Sequence, residues 1–350
     1  MKIAIVAGPH VPVPPIKYGG SELVIYYLIK GLKKLGHEPI LFAAADSSID
    51  CELVPITNKS IFFPKSTSEL PKFTKLELEI EKQTAKQLKK FINKVDIIHS
   101  HGFDLSKFNI VPNVTTLHNP ITYEAIPYYL KRKHLNWIAI SKDYKNSFPS
   151  LNYLSVIYNG EDSNDYEFVE KPQDYVCFVG RFDTDKNPHH AIELALSHNQ
   201  KIKLAGKTDF RSLNYFKENI KPYLNNPLVE YLGEITIKEK NELIRNAKCN
   251  LHPVGFREPF GLTVLEAAYS GTPTLAIRKG SMPELIEDGK TGILVDDFVE
   301  GYSKLLKCFS MDRKYISSSA RKKFDYIKMA KSYVRAYEKA IKNFNSSKIR

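Results

Sequence analysis

The chain has 350 residues, and 51 Lys and Arg against 39 Asp and Glu give it a formal net charge of +12. This length allows two domains with separate cores, and no apolar run reaches the roughly 18 residues that would predict a membrane span. The start MKIAIVAG has the pattern of a strand without a signal-peptide cleavage site, so we expect a cytoplasmic protein.

The cysteines and the charge distribution exclude further classes of protein. The four cysteines lie far apart and form no CxxC pair, which argues against a structural zinc site or a disulfide framework. Residues 313–350 contain twelve Lys or Arg and two acidic residues, so this tail carries +10 of the net charge. Because no recognised binding motif accompanies that charge, we do not expect nucleic acid as a partner.

The first half of the chain opens with a β-loop-α-β pattern. Ile3 to Ala7 is an apolar strand of the buried parallel type, and a loop rich in Pro and Gly follows it. Ser21 is predicted to cap a helix from Glu22 to Leu35, and Pro39 to Ala44 predicts the next strand. The Gly19-Gly20 pair in the loop permits close approach of an anion to the backbone, although a plain flexible turn has the same pattern.

Three histidines stand at the ends of predicted strands. VDIIHSHG, residues 95–102, ends in His99 and His101, and the strand from Asn113 to Leu117 is followed by His118. Sites in α/β proteins collect at the carboxyl ends of parallel strands, so a functional role is open to these residues. Core histidines are the alternative, and a metal site at His99 and His101 lacks a visible third ligand.

A helix and a basic patch complete the first half. The helix is predicted over Lys72 to Asn93. Residues 123–135 combine tyrosines with Lys, Arg and His, a pattern that suits an acceptor-binding or membrane-facing surface as well as an ordinary exposed helix end. Strands are predicted at Trp137 to Ser141 and at Ser155 to Tyr158, before a polar linker at 161–174.

A second series of elements follows the linker. The predicted strands are Tyr175 to Val179, Ile202 to Ala205, Val229 to Leu232, Asn250 to Val254, Pro273 to Ile277 and Ile293 to Val295. The predicted helices are Ala191 to Leu196, Lys238 to Ala247 and Leu262 to Tyr269. A terminal helix is predicted from an apolar stripe with a basic back, formed by Ile327, Ala330, Val334, Tyr337, Ile341 and Phe344.

The loop after the first strand of this second series carries charges of both signs. Arg181 and Lys186 can supply two positive charges to a pyrophosphate, Arg as a bidentate fork and Lys as a point charge. Asp183 and Asp185 stand between them and could hold a divalent metal. Because the two cations would compete with a metal, we predict that these aspartates are a loop and N-cap feature.

The stretch from Cys249 to Pro273 joins a strand, a loop and the start of a helix. Amides at a helix N-terminus bind anions, and Gly261 lets a phosphate approach the backbone. Glu258 lies just before that opening, and Glu266 follows eight residues later. A phosphate repels carboxylates, so both glutamates are better acceptors for hydroxyl groups, as in a ligand with a central diphosphate and polyols at both ends.

These motifs together resemble those of the family 4, or group 1, glycosyltransferases. Glu258-x7-Glu266, with its second glutamate in the segment FGLTVLEA, resembles the E-x7-E motif, and GRF before Lys186 resembles GR-x4-K. YGGSE resembles the glycine loop on the donor side, and TTLHNP resembles the segment whose histidine reaches the donor sugar. The resemblance is strong over residues 176–295 and moderate in the first half. Ser281 departs from it, because the family has a glycine pair before the position of Glu284.

The resemblance implies a GT-B fold, an α/β architecture of two Rossmann-like parallel-sheet domains facing across a cleft. We accordingly predict an acceptor-side domain at residues 1–168 and a nucleotide-sugar domain at 169–325. The basic amphipathic helix at 326–350 is expected to cross back to the first domain. Contact of its basic face with an anionic membrane, peripheral at the inner membrane face, is the alternative.

The implied reaction is transfer of a hexose from a nucleotide diphosphate sugar to an acceptor hydroxyl, with retention and without a metal or other cofactor. The donor would be a UDP-sugar or GDP-mannose, and the acceptor a glycan, a lipid-linked molecule or a small molecule. Arg181 and Lys186 would stabilise the leaving diphosphate, Glu258 would hold the hexose and His118 would position it. Glu266 would hold the ribose, and the remaining donor-binding residues would be Gly19, Gly20, Gly233, Phe260, Gly261, Leu262 and Thr263.

Two other functions suit the same motifs. A sugar-nucleotide 2-epimerase of GT-B fold would convert the donor without an acceptor. A non-catalytic sugar-nucleotide binding module would bind the donor without releasing nucleotide. A pyridoxal-dependent phosphorylase is less expected, because no lysine stands in a recognisable motif for an aldimine.

Overall fold

The computed structural model describes residues 1–348, which form two compact units. Unit 1 comprises Met1–Pro15, Gly19–Glu161 and the residues from Asp325 onward, and unit 2 comprises Ile16–Tyr18 and Asp162–Phe324. Within residues 1–348, every helix is too short or too polar to cross a bilayer.

Unit 1 contains seven strands and five α-helices among the described residues. The strands are β1 (Lys2–Val6), β2 (Glu38–Ala44), β3 (Glu52–Thr57), β4 (Ile97–Ser100), β5 (Asn113–Leu117), β6 (Trp137–Ala139) and β7 (Tyr153–Val156). The helices are α1 (Gly20–Lys34), α2 (Leu70–Lys89), α3 (Ile126–Lys131), α4 (Lys142–Ser147) and the C-terminal helix, Tyr326–Lys348.

One parallel sheet organises unit 1, with strand order β3-β2-β1-β4-β5-β6-β7. Its interior strand β1 is fully buried from Ile3 to Val6, which is why this segment is a continuous apolar run in the sequence. The C-terminal helix packs on α1, and Gly31 makes the contact close, because a Cβ there would lie 2.7 Å from the Cβ of Ala330.

Unit 2 contains six strands and seven α-helices among the described residues. Its strands are β8 (Val176–Val179), β9 (Ile202–Ala205), β10 (Val229–Gly233), β11 (Asn250–His252), β12 (Thr274–Ile277) and β13 (Gly292–Val295). Its helices are α5 (Pro188–Ser197), α6 (Leu213–Asn219), α7 (Ile237–Arg245), α8 (Leu262–Tyr269), α9 (Met282–Leu285), α10 (Gly301–Phe309) and α11 (Arg313–Lys323). The C-terminal helix of unit 1 is therefore α12 (Tyr326–Lys348).

The sheet of unit 2 is also parallel, in the order β10-β9-β8-β11-β12-β13. Two parallel sheets with alternating helices confirm the predicted pair of Rossmann-like folds. The order reverses direction next to β8 and β11, and ligands of open α/β sheets bind outside the carboxyl ends of the strands at such a switch point. Arg181 follows β8 and Glu258 follows β11, so both lie beyond this edge.

Two arginines of α11 hold the linker on unit 2. The guanidinium of Arg313 donates to the carbonyl of Val169 at 2.6 Å and to the carbonyl of Ala247 at 2.9 Å. Arg321 donates to the carbonyls of Ser163 at 2.7 Å and Tyr166 at 2.6 Å. These bonds satisfy backbone carbonyls of the linker and of the segment after α7, and they attach the residues from Asp162 onward to unit 2.

The structure corrects one local prediction in unit 1 and adds a strand that was not predicted. The helix begins at Gly20 with Gly19 as its N-cap, so Ser21 lies inside the first turn, and its hydroxyl donates to the carboxylate of Glu22 at 3.0 Å. The predicted cap was therefore wrong. Strand β3 was not predicted; its segment ELVPIT contains a proline, which is tolerated here at the edge of the sheet.

Candidate active site

The loop between β11 and α8 places a carboxylate against an ammonium group. The carboxylate of Glu258 pairs with Nζ of Lys186, and the two side chains are only 13% and 17% exposed. The Lys186 ammonium also lies 5.0 Å from the ring centroid of Phe256. The structure thus brings together two of the predicted site residues, although the sequence analysis had assigned them to different parts of the ligand.

Electrostatics keep Glu258 ionised. Burial acts to raise the pKa of its carboxyl, but Lys186, His252 and Arg181 act in the opposite direction, and the net shift of the pKa is downward. A buried carboxylate that stays charged is a strong hydrogen-bond acceptor, able to receive bonds from hydroxyl groups.

Arg181 interacts with the two aspartates of its own loop. Its Nε lies 3.2 Å from Asp183 and its Nη2 lies 3.5 Å from Asp185. The other oxygen of Asp183 accepts hydrogen bonds from the amides of Asp185 and Lys186 at 3.1 and 3.0 Å. The aspartates are therefore a loop feature as predicted, but the prediction of an N-cap was wrong, because α5 is capped by Asn187 without a side-chain bond.

The Glu258 loop is fastened by Gly280 and Ser281, of which the sequence analysis considered only Ser281, as a departure from the family's glycine pair. Gly280 has φ of +62°, and a Cβ there would lie 2.4 Å from the amide nitrogen of Glu258. The next residue, Ser281, is fully buried, donates its amide to the Glu258 carbonyl at 3.0 Å and donates its hydroxyl to the Phe260 carbonyl. Ser281, which replaces the second glycine of the family motif, therefore binds the backbone of the Glu258 loop.

The start of α8 has the geometry of an anion site. Gly261 is the N-cap with φ of +97°, and a Cβ there would lie 2.7 Å from the Met282 methyl group. The amides of Val264 and Leu265 donate to the Gly261 carbonyl at 3.1 and 3.3 Å. The amides of Leu262 and Thr263 precede these first intrahelical bonds, and such leading amides bind anions. Phe260, the residue before the N-cap, is buried.

Glu266 is a buried carboxylate with one occupied oxygen. It is 1% exposed, and its Oε1 accepts a hydrogen bond from Nζ of Lys240 on α7. Its Oε2 is buried and has no hydrogen-bond partner among the described residues. Lys240 was missed by sequence reasoning, and the available signal was that a buried glutamate requires a cationic partner.

His252, at the end of β11, was also missed. It is 4% exposed, and its Nε2 lies 3.9 Å from Oε2 of Glu258 without a hydrogen-bond partner in the described part of the chain. Burial lowers its pKa to about 4, although Glu258 acts to raise the pKa and Lys186 acts to lower it. His252 is therefore neutral at pH 7.

The remaining predicted donor-binding residue of unit 2, Gly233, ends β10 with φ of +68°. Its carbonyl accepts from the amide of Gly206 at 2.8 Å, and a Cβ at Gly206 would lie 1.7 Å from the Gly180 carbonyl oxygen. The loops after β8, β9 and β10 are therefore tied to one another through backbone at the carboxyl edge of the sheet.

Unit 1 carries the other predicted site residues. Gly19 is buried, and a Cβ there would lie 2.6 Å from Pro15 and 2.9 Å from Val11, so the glycine is required by packing. Gly20 begins α1. Glu22, which was not predicted, is buried near the glycine pair, and burial raises its pKa.

The three predicted histidines of unit 1 form one cluster. His99 is fully buried and contacts Tyr337 through Nδ1 and Thr116 through Nε2, each at 2.8 Å. His101 contacts His118 through a 2.7 Å bond between Nδ1 of His101 and Nε2 of His118. Burial lowers the pKa of His99 to about 3, that of His118 to about 4 and that of His101 well below its ordinary value. All three are neutral at pH 7.

No cluster of three His, Cys, Asp or Glu side chains that could hold a metal occurs within residues 1–348. The four cysteines are free thiols, three of them buried. Glu258 and Lys186 form a charged pair beside the β11–α8 loop, and Arg181 acts with Lys186 to lower the pKa of Glu258.

Two family models match the chain in succession. Residues 18–163 match the model described as Glycosyltransferase Family 4, and residues 161–324 match Glycosyl transferases group 1. The chain is 25% identical to an uncharacterised glycosyltransferase, MJ1607, of Methanocaldococcus jannaschii, over 97% of this chain and 99% of that protein. It is 29% identical to the α-1,3/1,6-mannosyltransferase ALG2 of Dictyostelium discoideum, over 65% of this chain and 50% of that protein.

Solved structures give the same class of fold. The structure of Anabaena Alr3699/HepE in complex with UDP and glucose matches with a TM-score of 0.73 at 19% identity, covering 97% of this chain and all of that chain. The fold and the site motifs therefore define a glycosyltransferase of the GT-B class. Within that class, the chain belongs to family 4, the group 1 glycosyltransferases.

The buried pair of Lys240 and Glu266 provides a test of this site's electrostatics. In the variant Lys240→Met, the Glu266 carboxylate stays buried without a cation, so we expect a loss of about 3 kcal/mol in the free energy of unfolding. The double variant Lys240→Met/Glu266→Gln should recover much of this loss, because it no longer buries a charge. Urea denaturation at pH 7.5 measures both.

The matched control is Lys248→Met, since Lys248 pairs with Asp174, which is 81% exposed. That variant should change the unfolding free energy by less than about 1 kcal/mol. If Lys240→Met and the double variant lost the same free energy of unfolding, the loss could not be due to the unpaired charge of Glu266.

Because burial lowers the pKa values of the three clustered histidines, we expect unit 1 to lose folding stability in acid. The pKa of His99 lies near 3 in the folded protein against 6.5 in the unfolded chain, so the unfolded chain binds more protons between these values. Stability is therefore fully present above pH 6.5 and is lost as the pH falls, by up to about 2 kcal/mol between pH 7 and pH 5 from His99 alone.

Urea denaturation at pH 7.5, 6 and 5 tests this with the variant His99→Gln, which keeps hydrogen-bonding groups but does not titrate. Its loss of stability on acidification should be smaller than that of the wild type. The exposed His134 in the same unit supplies the control His134→Gln, which should follow the wild type. Parallel curves for wild type and His99→Gln would refute the prediction.

Proposed function

We propose that the enzyme transfers a hexose from a nucleotide diphosphate sugar to an acceptor hydroxyl, with the donor bound at the carboxyl edge of the sheet in unit 2. The observation that carries this proposal is Glu266, a buried carboxylate with one paired oxygen and one buried oxygen without a partner among the described residues. It lies one helical turn behind the leading amides of α8. An anion at those amides and a hydroxyl on Glu266 are two neighbouring parts of one ligand.

The leading amides of α8 and two cations would bind the diphosphate. Leu262 and Thr263 offer backbone amides, Lys186 offers a point charge, and Arg181 offers a fork that is 35% exposed. Negative charge grows on the diphosphate as the bond to the sugar lengthens, so groups fixed in advance around it lower the barrier. These four residues supply that stabilisation in the proposed reaction.

The two glutamates would hold sugars on either side of the diphosphate. Glu258 would accept hydrogen bonds from hexose hydroxyls and Glu266 from the ribose. Lys186 contacts Glu258 directly. The ammonium group that stabilises the phosphate would therefore also keep the Glu258 carboxylate ionised and in place to bind the hexose hydroxyls. Gly233 and Phe260 would contribute to the walls of the nucleotide site.

The residues of unit 1 enter the proposal through the family resemblance. Gly19 and Gly20 would offer backbone to the diphosphate, and His118 would bind the reacting sugar. Because burial keeps the pKa of His118 near 4, its ring is neutral at pH 7 and suits an uncharged hydroxyl better than a phosphate.

The relatives suggest which donors to test first. The Anabaena structure contains UDP and glucose, and the Dictyostelium relative is a mannosyltransferase, so UDP-glucose and GDP-mannose lead the panel. The acceptor would be a glycan, a lipid-linked molecule or a small molecule, and the product would keep the anomeric configuration of the donor. We also retain, as proposals, action in the cytoplasm and contact of the basic face of α12 with an anionic membrane.

Turnover of the donor panel with Glu258→Gln tests the site. The amide keeps the size of the side chain but loses the charge that accepts hexose hydroxyls, so we expect kcat/KM for the donor to fall by about 100-fold or more. Circular dichroism should show an unchanged fold. Glu287→Gln, a half-exposed acid of the same unit, is the control and should keep wild-type turnover.

Near-normal transfer by Glu258→Gln would overturn the proposed role of this glutamate. The same assay separates the competing functions. A 2-epimerase would convert the donor without an acceptor, and a binding module would be stabilised by the donor without releasing nucleotide.

Metal independence has its own test. Because Arg181 and Lys186 already supply positive charge to the diphosphate, we expect the transfer rate to be unchanged after dialysis against EDTA and insensitive to added Mg²⁺ or Mn²⁺. The variant Asp185→Asn should retain most of the activity. Loss of activity in EDTA, restored by Mn²⁺ and absent in Asp185→Asn, would instead make the aspartate pair a metal site.

A further inference from the structure

We propose that His101 is a positioning residue that fixes His118 in the tautomer with its proton on Nδ1, so that His118 offers an N–H donor to its ligand. The inference deepens the proposed function, since it rests on His118 as a contact of the donor sugar. The bond from His101 determines which ring nitrogen of His118 carries the proton that is donated to the sugar.

The two rings form a hydrogen bond that requires one donor and one acceptor. Nδ1 of His101 lies 2.7 Å from Nε2 of His118, and the ring planes differ by only 16°. Burial lowers the pKa of both rings, so each carries a single proton at pH 7. One ring therefore donates and the other accepts, and two proton arrangements are conceivable.

The second nitrogen of His101 selects between them. Its Nε2 is buried and has no hydrogen-bond partner among the described residues. If His118 donated, His101 would carry its proton on this Nε2, leaving an N–H group buried without an acceptor. Orphaned buried N–H groups are rare in native structures because they are costly. His101 therefore donates from Nδ1, and His118 accepts at Nε2.

The proton of His118 must then be on Nδ1. Within the described part of the chain, the bond to His101 is the hydrogen bond that His118 makes, so Nδ1 is available to a ligand. In water, a neutral histidine favours the opposite tautomer, with the proton on Nε2. The neighbour thus imposes a state that the isolated side chain disfavours.

A rigid support holds His101 for this task. The His101 backbone amide donates to the Val6 carbonyl at 3.0 Å, and its ring lies 4.1 Å from the ring of His99. His99 is fixed at both nitrogens by the hydroxyls of Tyr337 and Thr116, and the hydroxyl of Thr116 lies 3.1 Å from that of Tyr333. Two tyrosines of helix α12 therefore enclose His99, which packs against the ring of His101.

The test is a long-range ¹H–¹⁵N spectrum of the full chain labelled with ¹⁵N-histidine, with His118 assigned by its loss in His118→Asn. In the wild type, Nε2 of His118 should resonate as an unprotonated nitrogen and Nδ1 as a protonated one. In His101→Phe, which removes the donor, the two assignments should move toward the opposite tautomer. In His101→Asn the side-chain amide takes the place of the Nδ1–H donor, and the wild-type pattern should remain.

Activity supplies a second readout. His101→Phe should lower kcat/KM for the donor by about tenfold, the loss of one hydrogen bond at the reacting sugar, and His101→Asn should restore most of it. Tyr337→Phe is the matched control. It removes the hydroxyl bonded to His99 but keeps the ring that packs on His99 and both partners of the His101–His118 bond, so it should reduce stability while leaving the His118 spectrum and kcat/KM near the wild type.

A proton on Nε2 of His118 in the wild type would overturn the inference, and this measurement does not depend on any variant folding. An unchanged His118 spectrum in His101→Phe would overturn it as well. If the spectra agree with the inference but no donor is turned over by the wild type, the proposed function fails while the tautomer assignment stands. If the wild type transfers sugar and the spectra disagree, the positioning role alone fails.

Discussion

Burial of charge is the constraint on which the site in unit 2 depends. Glu258 and Glu266 are both removed from water, and each has a lysine from another element as its partner, Lys186 from the β8–α5 loop and Lys240 from α7. A buried carboxylate without such a partner is strongly destabilising, so the positions of the two lysines are dictated by the positions of the two acids. The elements that carry them must then meet at the same edge of the sheet, and the parallel order of β8 and β11 brings this about.

Glycines make this concentration of charged groups sterically feasible. Gly280 and Gly261 both have positive φ, and each is approached so closely that a Cβ would collide, with the Glu258 backbone in one case and with Met282 in the other. Ser281 completes the arrangement by bonding to the carbonyls of Glu258 and Phe260. A larger residue at Gly280 would displace the backbone of Glu258, so the rigidity of this acid comes from backbone contacts.

The fold and half of this site could be predicted from the sequence, for reasons that are local. The strand Ile202–Ala205 is apolar and buried except at Lys203, and the helix Leu262–Tyr269 is delimited by glycines, so both were predicted with their observed bounds. The partners of the glutamates were not found, because Lys240 and His252 are joined to the site only by tertiary contacts, and many lysines of this basic chain have the same local pattern. Ser281 was interpreted by comparison with a family glycine, whereas its role depends on a carbonyl 23 residues away, that of Glu258.

The spacing of the E-x7-E motif follows from these partnerships. Glu258 belongs to the loop and is fixed by Gly280, whereas Glu266 belongs to the second turn of α8 and is fixed by Lys240. Successive residues of an α-helix are rotated by about 100°, so one residue inserted after Gly261 would turn Glu266 away from Lys240 and place an apolar neighbour against the ammonium group. One residue inserted before Gly261 would instead separate Glu258 from the leading amides of α8. The interval of eight residues therefore follows from the two positions: Glu258 lies before the start of α8 and Glu266 lies one turn after it. Each acid has its own lysine partner.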